Sequence, residues 1–144
     1  MQKNILNTMQ MSKSQCPQYL ALSIFGDKWT LLIIRDMLIE GKRYFREFLQ
    51  SEEKIASNIL ASRLKFLEKE GIIHKKKDPD HKQKIIYLLT PKGIDLLPIL
   101  LENARWSLKY MPVAQEEAKK AKAFLSISSE KMKSVLRELS DIHR

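Results

Sequence analysis

Ala56-Ser57-Asn58-Ile59-Leu60-Ala61-Ser62-Arg63-Leu64-Lys65-Phe66-Leu67-Glu68-Lys69-Glu70 is the stretch on which the reading of this chain turns. It holds no glycine or proline until Gly71 closes it, so one helix is expected over 56–70. Ile59, Leu60, Leu64 and Leu67 fall on one side and are assigned to the core. Ser57, Asn58, Ala61, Ser62 and Lys65 fall on the other, linked by i,i+4 steps (57/61, 58/62, 61/65). That second face is short and polar near its start, then positive. A helix entering a groove of a duplex needs small side chains for close approach. It also needs hydroxyls for phosphates or base edges, and an amide such as Asn58 that both donates to and accepts from adenine. An amphipathic helix with a merely solvated face has the same outline, so its neighbours must decide.

Upstream, Cys16-Pro17 opens a helix, with proline where its missing N–H costs nothing. Tyr19, Leu20, Leu22, Ile24 and Phe25 make it apolar, and Gly26 is read as its C′ glycine. Asp27 is an N-cap for a second helix, Lys28 to Glu40, apolar nearly all round through Leu31, Ile33, Ile34 and Leu38 and therefore central. A short third helix over 43–49 turns Phe45, Phe48 and Leu49 inward, and the polar turn Ser51-Glu52-Glu53-Lys54 follows. Downstream, residues 72–77 and 84–89 alternate with β-branched residues around Asp78-Pro79-Asp80-His81-Lys82, which is turn chemistry. That is a hairpin with a basic tip. Thr90-Pro91 launches a helix expected to run to about Tyr110, kinked at Pro98. An alanine-rich helix over 113–125 and a last helix with the stripe Met132, Val135, Leu136, Leu139 and Ile142 complete the chain.

Helix, helix, short helix, tight turn, helix and basic hairpin is the order of a winged helix-turn-helix. The fold class is therefore mainly α with a small antiparallel β-hairpin and additional dimerisation helices. Residues 1–15 form an N-terminal arm, 16–110 the winged helix-turn-helix unit, and 111–144 a helical C-terminal extension assigned to dimerisation. The 56–70 helix becomes the recognition helix. Backbone contacts are assigned to Arg43, Tyr44, Arg46 and Arg63, and wing contacts to Lys75, Lys76, Lys77, His81, Lys82 and Lys84. Two of these have a second reading: Tyr44 as a rim residue of the core, and Arg63 as the partner of an acidic neighbour such as Glu47 or Glu68. Lysines on an exposed ribbon also protect an edge strand from aggregation.

The charge distribution supports a polyanionic partner. The 144 residues carry a net charge of +9, and residues 42–84, with 12 Lys and Arg against 7 Asp and Glu, hold +5 of it. Each phosphate such a surface neutralises releases condensed counterions. No glycine-rich phosphate loop, nucleophile elbow or metal-ligand spacing is present, so an enzyme is not expected. One cysteine and three histidines are too few for a structural zinc site, and no cofactor is implied. No apolar run approaches a membrane span, and a single cysteine suits a reducing, cytoplasmic setting. A winged-helix module that binds protein instead of DNA is the alternative, and it would tend to lose the basic bias kept here.

Five blocks in order carry a family resemblance: Cys16-Pro17, Gly26 to Ile34, Arg43-Tyr44-Phe45, Ile59 to Glu68, and Tyr87 to Gly93. Over about residues 16–106 the chain resembles the HxlR-type winged helix-turn-helix regulators of bacterial transcription. The resemblance implies a homodimeric regulator that binds double-stranded DNA, dimerising through the N-terminal helix and the helices after the wing; a two-fold dimer in turn calls for a palindromic operator. It also implies that a cysteine at the place of Cys16 can sense oxidants or electrophiles, as in some members. The residue alone admits a second reading, a small buried apolar side chain. Two features depart from the family pattern: Ala56 stands where a serine cap is frequent, and the tail beyond Tyr110 is long.

Overall fold

A computed structural model describes residues 14–144; the arm read over 1–15 therefore lies almost wholly outside the described residues. Eight helices and one hairpin follow one another among them: α1 (Pro17–Phe25), α2 (Lys28–Leu38), α3 (Phe45–Leu49), α4 (Ser57–Lys69), β1 (Ile73–Lys77), β2 (Ile85–Leu89), α5 (Pro91–Ile94), α6 (Leu97–Tyr110), α7 (Gln115–Leu125) and α8 (Ser129–Ile142). None of the helices is long and apolar enough to cross a membrane. The strands pair antiparallel with Ile73 opposite Leu89 and Lys77 opposite Ile85. This is the winged helix-turn-helix arrangement expected from the order of elements.

The caps lie where the sequence places them. Asp27 accepts from the Thr30 backbone N–H at 3.0 Å and from its hydroxyl at 2.6 Å, fixing the start of α2. Thr90 accepts from Gly93 N–H, and its own hydroxyl lies 2.6 Å from the Gly71 carbonyl, tying α5 to the end of α4. Gly71 ends α4 at φ +72°, a conformation that favours glycine. Gly26 differs from expectation: at φ −70° it stays right-handed and caps α1 with a bond from its N–H to the Leu22 carbonyl.

α2 forms the centre, with Ile33, Ile34, Met37 and Leu38 buried against Phe48, Leu60, Leu64, Leu67, Ile72, Ile73, Leu89, Ile94 and Leu97. Two sequence expectations give way here. The helix expected over 91–110 is two helices, broken at Asp95 and Leu96; Pro98 lies in the first turn of α6, where it costs no hydrogen bond and makes no kink. Ile59, assigned to the core, is 36% exposed because Leu60 takes the inward position of that turn.

Apolar surface assigned to dimerisation is partly used within the chain. Leu97 is buried, and Leu96, Leu100, Leu101, Met132, Leu136 and Leu139 pack on the chain's own core. What stays exposed is Trp106, Tyr110 and Met111 at the end of α6, Tyr19 and Leu22 on α1, and Ile142. α1 buries none of its residues.

Beneath the helix-turn-helix lies a polar network that the sequence did not announce. Asp36, 3% exposed, accepts from Arg35 at 2.8 Å, from Lys42 at 3.3 Å and from the Ser51 hydroxyl. Arg35 also grips Glu53 through two bonds of 2.6 and 3.0 Å. That bidentate contact holds the Glu53 carboxyl down to about 2 and raises the guanidinium's own affinity for its proton. The turn between α3 and α4 is thus bolted to α2. Lys54, at its end, adopts φ +55°, and its N–H donates to the Ser51 carbonyl at 2.9 Å.

Candidate nucleic-acid interface

Ser57, Asn58, Ala61, Ser62 and Lys65 are all exposed along α4, opposite buried Leu60, Leu64 and Leu67. Ala56 occupies the N-cap and makes no side-chain cap, so the first amide groups of α4 keep unused donor capacity on the same end as Ser57 and Asn58. The face is therefore short, uncapped, amide-bearing and, one turn later, cationic.

The hairpin continues from it. Lys75 pairs with Glu68 of α4 at 3.7 Å, joining β1 to that helix. At the tip, Asp78 N–H reaches the Lys84 carbonyl at 2.9 Å and Asp80 N–H reaches Asp78 Oδ1 at 2.9 Å, closing the turn from within. Asp78 is only 5% exposed. The Tyr44 hydroxyl donates to its carboxylate, which holds that carboxyl below the usual range and pushes the phenol above its own. Tyr44 thus anchors the wing, and the Lys84 ammonium stands 5.5 Å above its ring. With Asp78 buried, the charged side chains exposed at the tip are Lys77, Asp80, Lys82 and Lys84. His81 is exposed there too.

Three further assigned residues have local partners. Arg63 faces Asp27 at 3.6 Å and lies 5.0 Å over the Phe66 ring, so its acidic partner is the cap of α2 and neither Glu47 nor Glu68. Glu47 instead accepts the backbone N–H groups of Arg43 and Tyr44 at 3.1 and 3.0 Å. The Arg43 carbonyl accepts the Tyr87 N–H at 2.8 Å, so this residue extends the outer edge of β2. Lys76 donates to the Arg144 carbonyl at 3.0 Å. Arg46, like Lys65, Lys77 and Lys82, is exposed and in no ion pair among the described residues.

Cys16 is exposed, which removes the reading of a small buried side chain. It sits at the N-cap of α1, its Sγ donating to Gln18 Oε1 at 3.1 Å.

The HxlR-like helix-turn-helix family model matches residues 24–115. The chain belongs to that family. Among the relatives of this HxlR-like chain in Bacillus subtilis are YdeP, an HTH-type transcriptional regulator 36% identical over 66% of this chain and 73% of that one. YodB, also an HTH-type transcriptional regulator, is 35% identical over 67% and 87%. The reduced form of YodB superposes with a TM-score of 0.56 over 69% of this chain and 97% of its own, at 33% identity. The redox regulator HypR in its oxidised form superposes at 0.59 over 68% and 100%, at 32% identity. This HxlR-like chain is accordingly a transcriptional regulator of winged-helix type. Its α8, and α7 after its first residue, lie beyond the family match.

One buried group near the wing was not singled out by the sequence. His143, 4% exposed, accepts the Leu89 N–H on Nδ1 at 3.0 Å. Burial first, then the nearby charges of Arg43 and His74, push it down to about 4. The folded chain keeps this ring neutral, while the unfolded chain protonates it below its ordinary value near 6.5. Stability is therefore expected to be complete above about pH 6.5 and to fall by up to about 3 kcal/mol as the pH drops toward 4. Urea midpoints between pH 7.5 and 4.5 check this: His143→Phe should flatten the curve across that window.

Proposed function

We propose that this chain acts as a homodimer that binds double-stranded DNA at a palindromic operator. Each protomer lays α4 in the major groove and sets its hairpin on the neighbouring backbone. The observation that carries the reading is the exposed Ser57–Asn58–Ala61–Ser62–Lys65 face, uncapped at its start and continued by a wing whose one inward acid is sequestered. Asn58 reads a base, Ser57 and Ser62 meet phosphate or base edges, and Arg46, Lys65, Lys77 and Lys82 neutralise phosphates. The exposed Tyr19, Leu22, Trp106, Tyr110 and Met111 supply the dimer contact, and a two-fold pair would space its reading helices about 34 Å apart. Its setting is the cytoplasm, and it performs no catalysis.

Selection of bound duplexes from random DNA tests the reading. A two-fold symmetric consensus is expected, and recovery of none would overturn it. On the selected duplex, Asn58→Ala should cost about 1–3 kcal/mol and relax preference at one position of each half-site. Lys82→Ala should weaken all sequences alike and lower the salt slope by about one.

A second reading rests on Cys16, exposed at a helix start in a chain similar to the redox regulator HypR and to YodB. Oxidation or alkylation of this thiol alters DNA affinity. With one cysteine per chain, the oxidised product is a mixed disulfide, an adduct or an inter-subunit bond. Diamide should change the gel shift of wild type and leave Cys16→Ser untouched; equal responses from the two would end this reading.

A further inference from the structure

Residue 143 stands at the end of α8, outside the residues shared with the family, yet it completes the wing. In β2 the N–H groups of Tyr87 and Leu89 are two residues apart and so point to the same edge. The Tyr87 N–H is taken by the Arg43 carbonyl at 2.8 Å and the Leu89 N–H by His143 Nδ1 at 3.0 Å. The same short segment touches the other strand. His74 Nε2 lies 3.3 Å from the His143 carbonyl, and Lys76 Nζ lies 3.0 Å from the Arg144 carbonyl. Behind it, Met132, Leu136 and Leu139 seat α8 on the core, and α8 packs on α5. A two-stranded ribbon alone is marginally stable, and its edge N–H groups demand partners.

We infer that α8 is a brace for the wing, and that His143 is a positioning residue that sets where the hairpin lysines meet the DNA backbone. The inference rests on the DNA-binding reading above. Without α8, the hairpin is held by α4, by Arg43 and by the Tyr44–Asp78 bond near its tip, and could still pivot about those attachments. A further attachment from α8, reaching both strands, removes that freedom before DNA arrives, so less ordering is required on binding. The effect falls on phosphate contacts and leaves base readout to α4 unchanged.

The test compares wild type, His143→Phe and His143→Asn as full chains. Phenylalanine keeps the bulk and loses the acceptor; the Asn amide oxygen occupies the same bond position as Nδ1 and restores it. Binding is measured to a duplex selected by wild type and to an unrelated duplex of equal length, across salt. His143→Phe should bind both duplexes roughly tenfold more weakly with a shallower salt slope and an unchanged ratio between them. The Leu89 amide should exchange its hydrogen faster in that variant. His143→Asn should return both readouts toward wild type. Wild-type affinity and salt slope in a folded His143→Phe would overturn the brace, as would a Leu89 amide equally protected in all three chains. Absence of wild-type binding to any duplex would instead overturn the DNA-binding reading, and Leu89 exchange would still judge the attachment.

Discussion

Raising the salt from 50 to 200 mM is expected to weaken the complex with a selected operator by about four orders of magnitude. Arg46, Lys65, Lys77 and Lys82 are exposed and in no ion pair among the described residues. Two protomers would bring about eight such cations to phosphate, giving a slope near −7 in log affinity against log salt. Lys75, Lys76 and Arg63 contribute less, since each first leaves Glu68, the Arg144 carbonyl or Asp27. Fluorescence anisotropy over a salt series reads the slope directly. A loss below about threefold over the same range would mean that apolar contact dominates, the behaviour of a protein-binding module, because apolar burial responds weakly to screening.

Asp36→Asn is expected to lower the stability of the chain by about 3 kcal/mol, or roughly 10 °C in melting temperature. The carboxylate is the hub for Arg35, Lys42 and the Ser51 hydroxyl. An amide of the same shape offers one acceptor oxygen and no charge, so Lys42 and Ser51 compete for it. Partial exposure of Arg35 and Lys42, at 28% and 20% of their side chains, keeps the loss at the low end for a broken buried pair. DNA affinity should fall too, because the turn that aims α4 is held by this hub. Thermal melting and anisotropy on the same sample check both; an unchanged melting temperature would refute the role of the network.

The helices, the hairpin and the outward face of α4 were legible because periodicity and caps are local signals. Asp27, Thr90 and Gly71 act within a few residues of where they stand. What escaped was non-local. Nothing near Asp78 in sequence marks Tyr44 as its partner, and Asp36 looks like an ordinary polar residue on a helix until Ser51 and Lys42 fold onto it. His143 sits in a polar tail of Asp141, Arg144 and neighbours, so its burial depends wholly on where α8 docks. Pro98 misled in the opposite direction: a proline between leucines reads as a kink, whereas a break at Asp95 and Leu96 lets it serve as a helix start. Ile59 was misplaced because the arc of Ile59, Leu60, Leu64 and Leu67 on α4 is wider than the core that receives it.

α1 has only nine residues and none of them is buried, with Ile24 alone reaching the core from its far end. A helix so short has little stability of its own in water, so a second chain laid against Tyr19 and Leu22 would be what keeps its first turn wound. Cys16 sits on that turn. Dilution toward the monomer would then loosen the backbone around the sulfur, and the rate at which a maleimide captures it would report the association state of the protein.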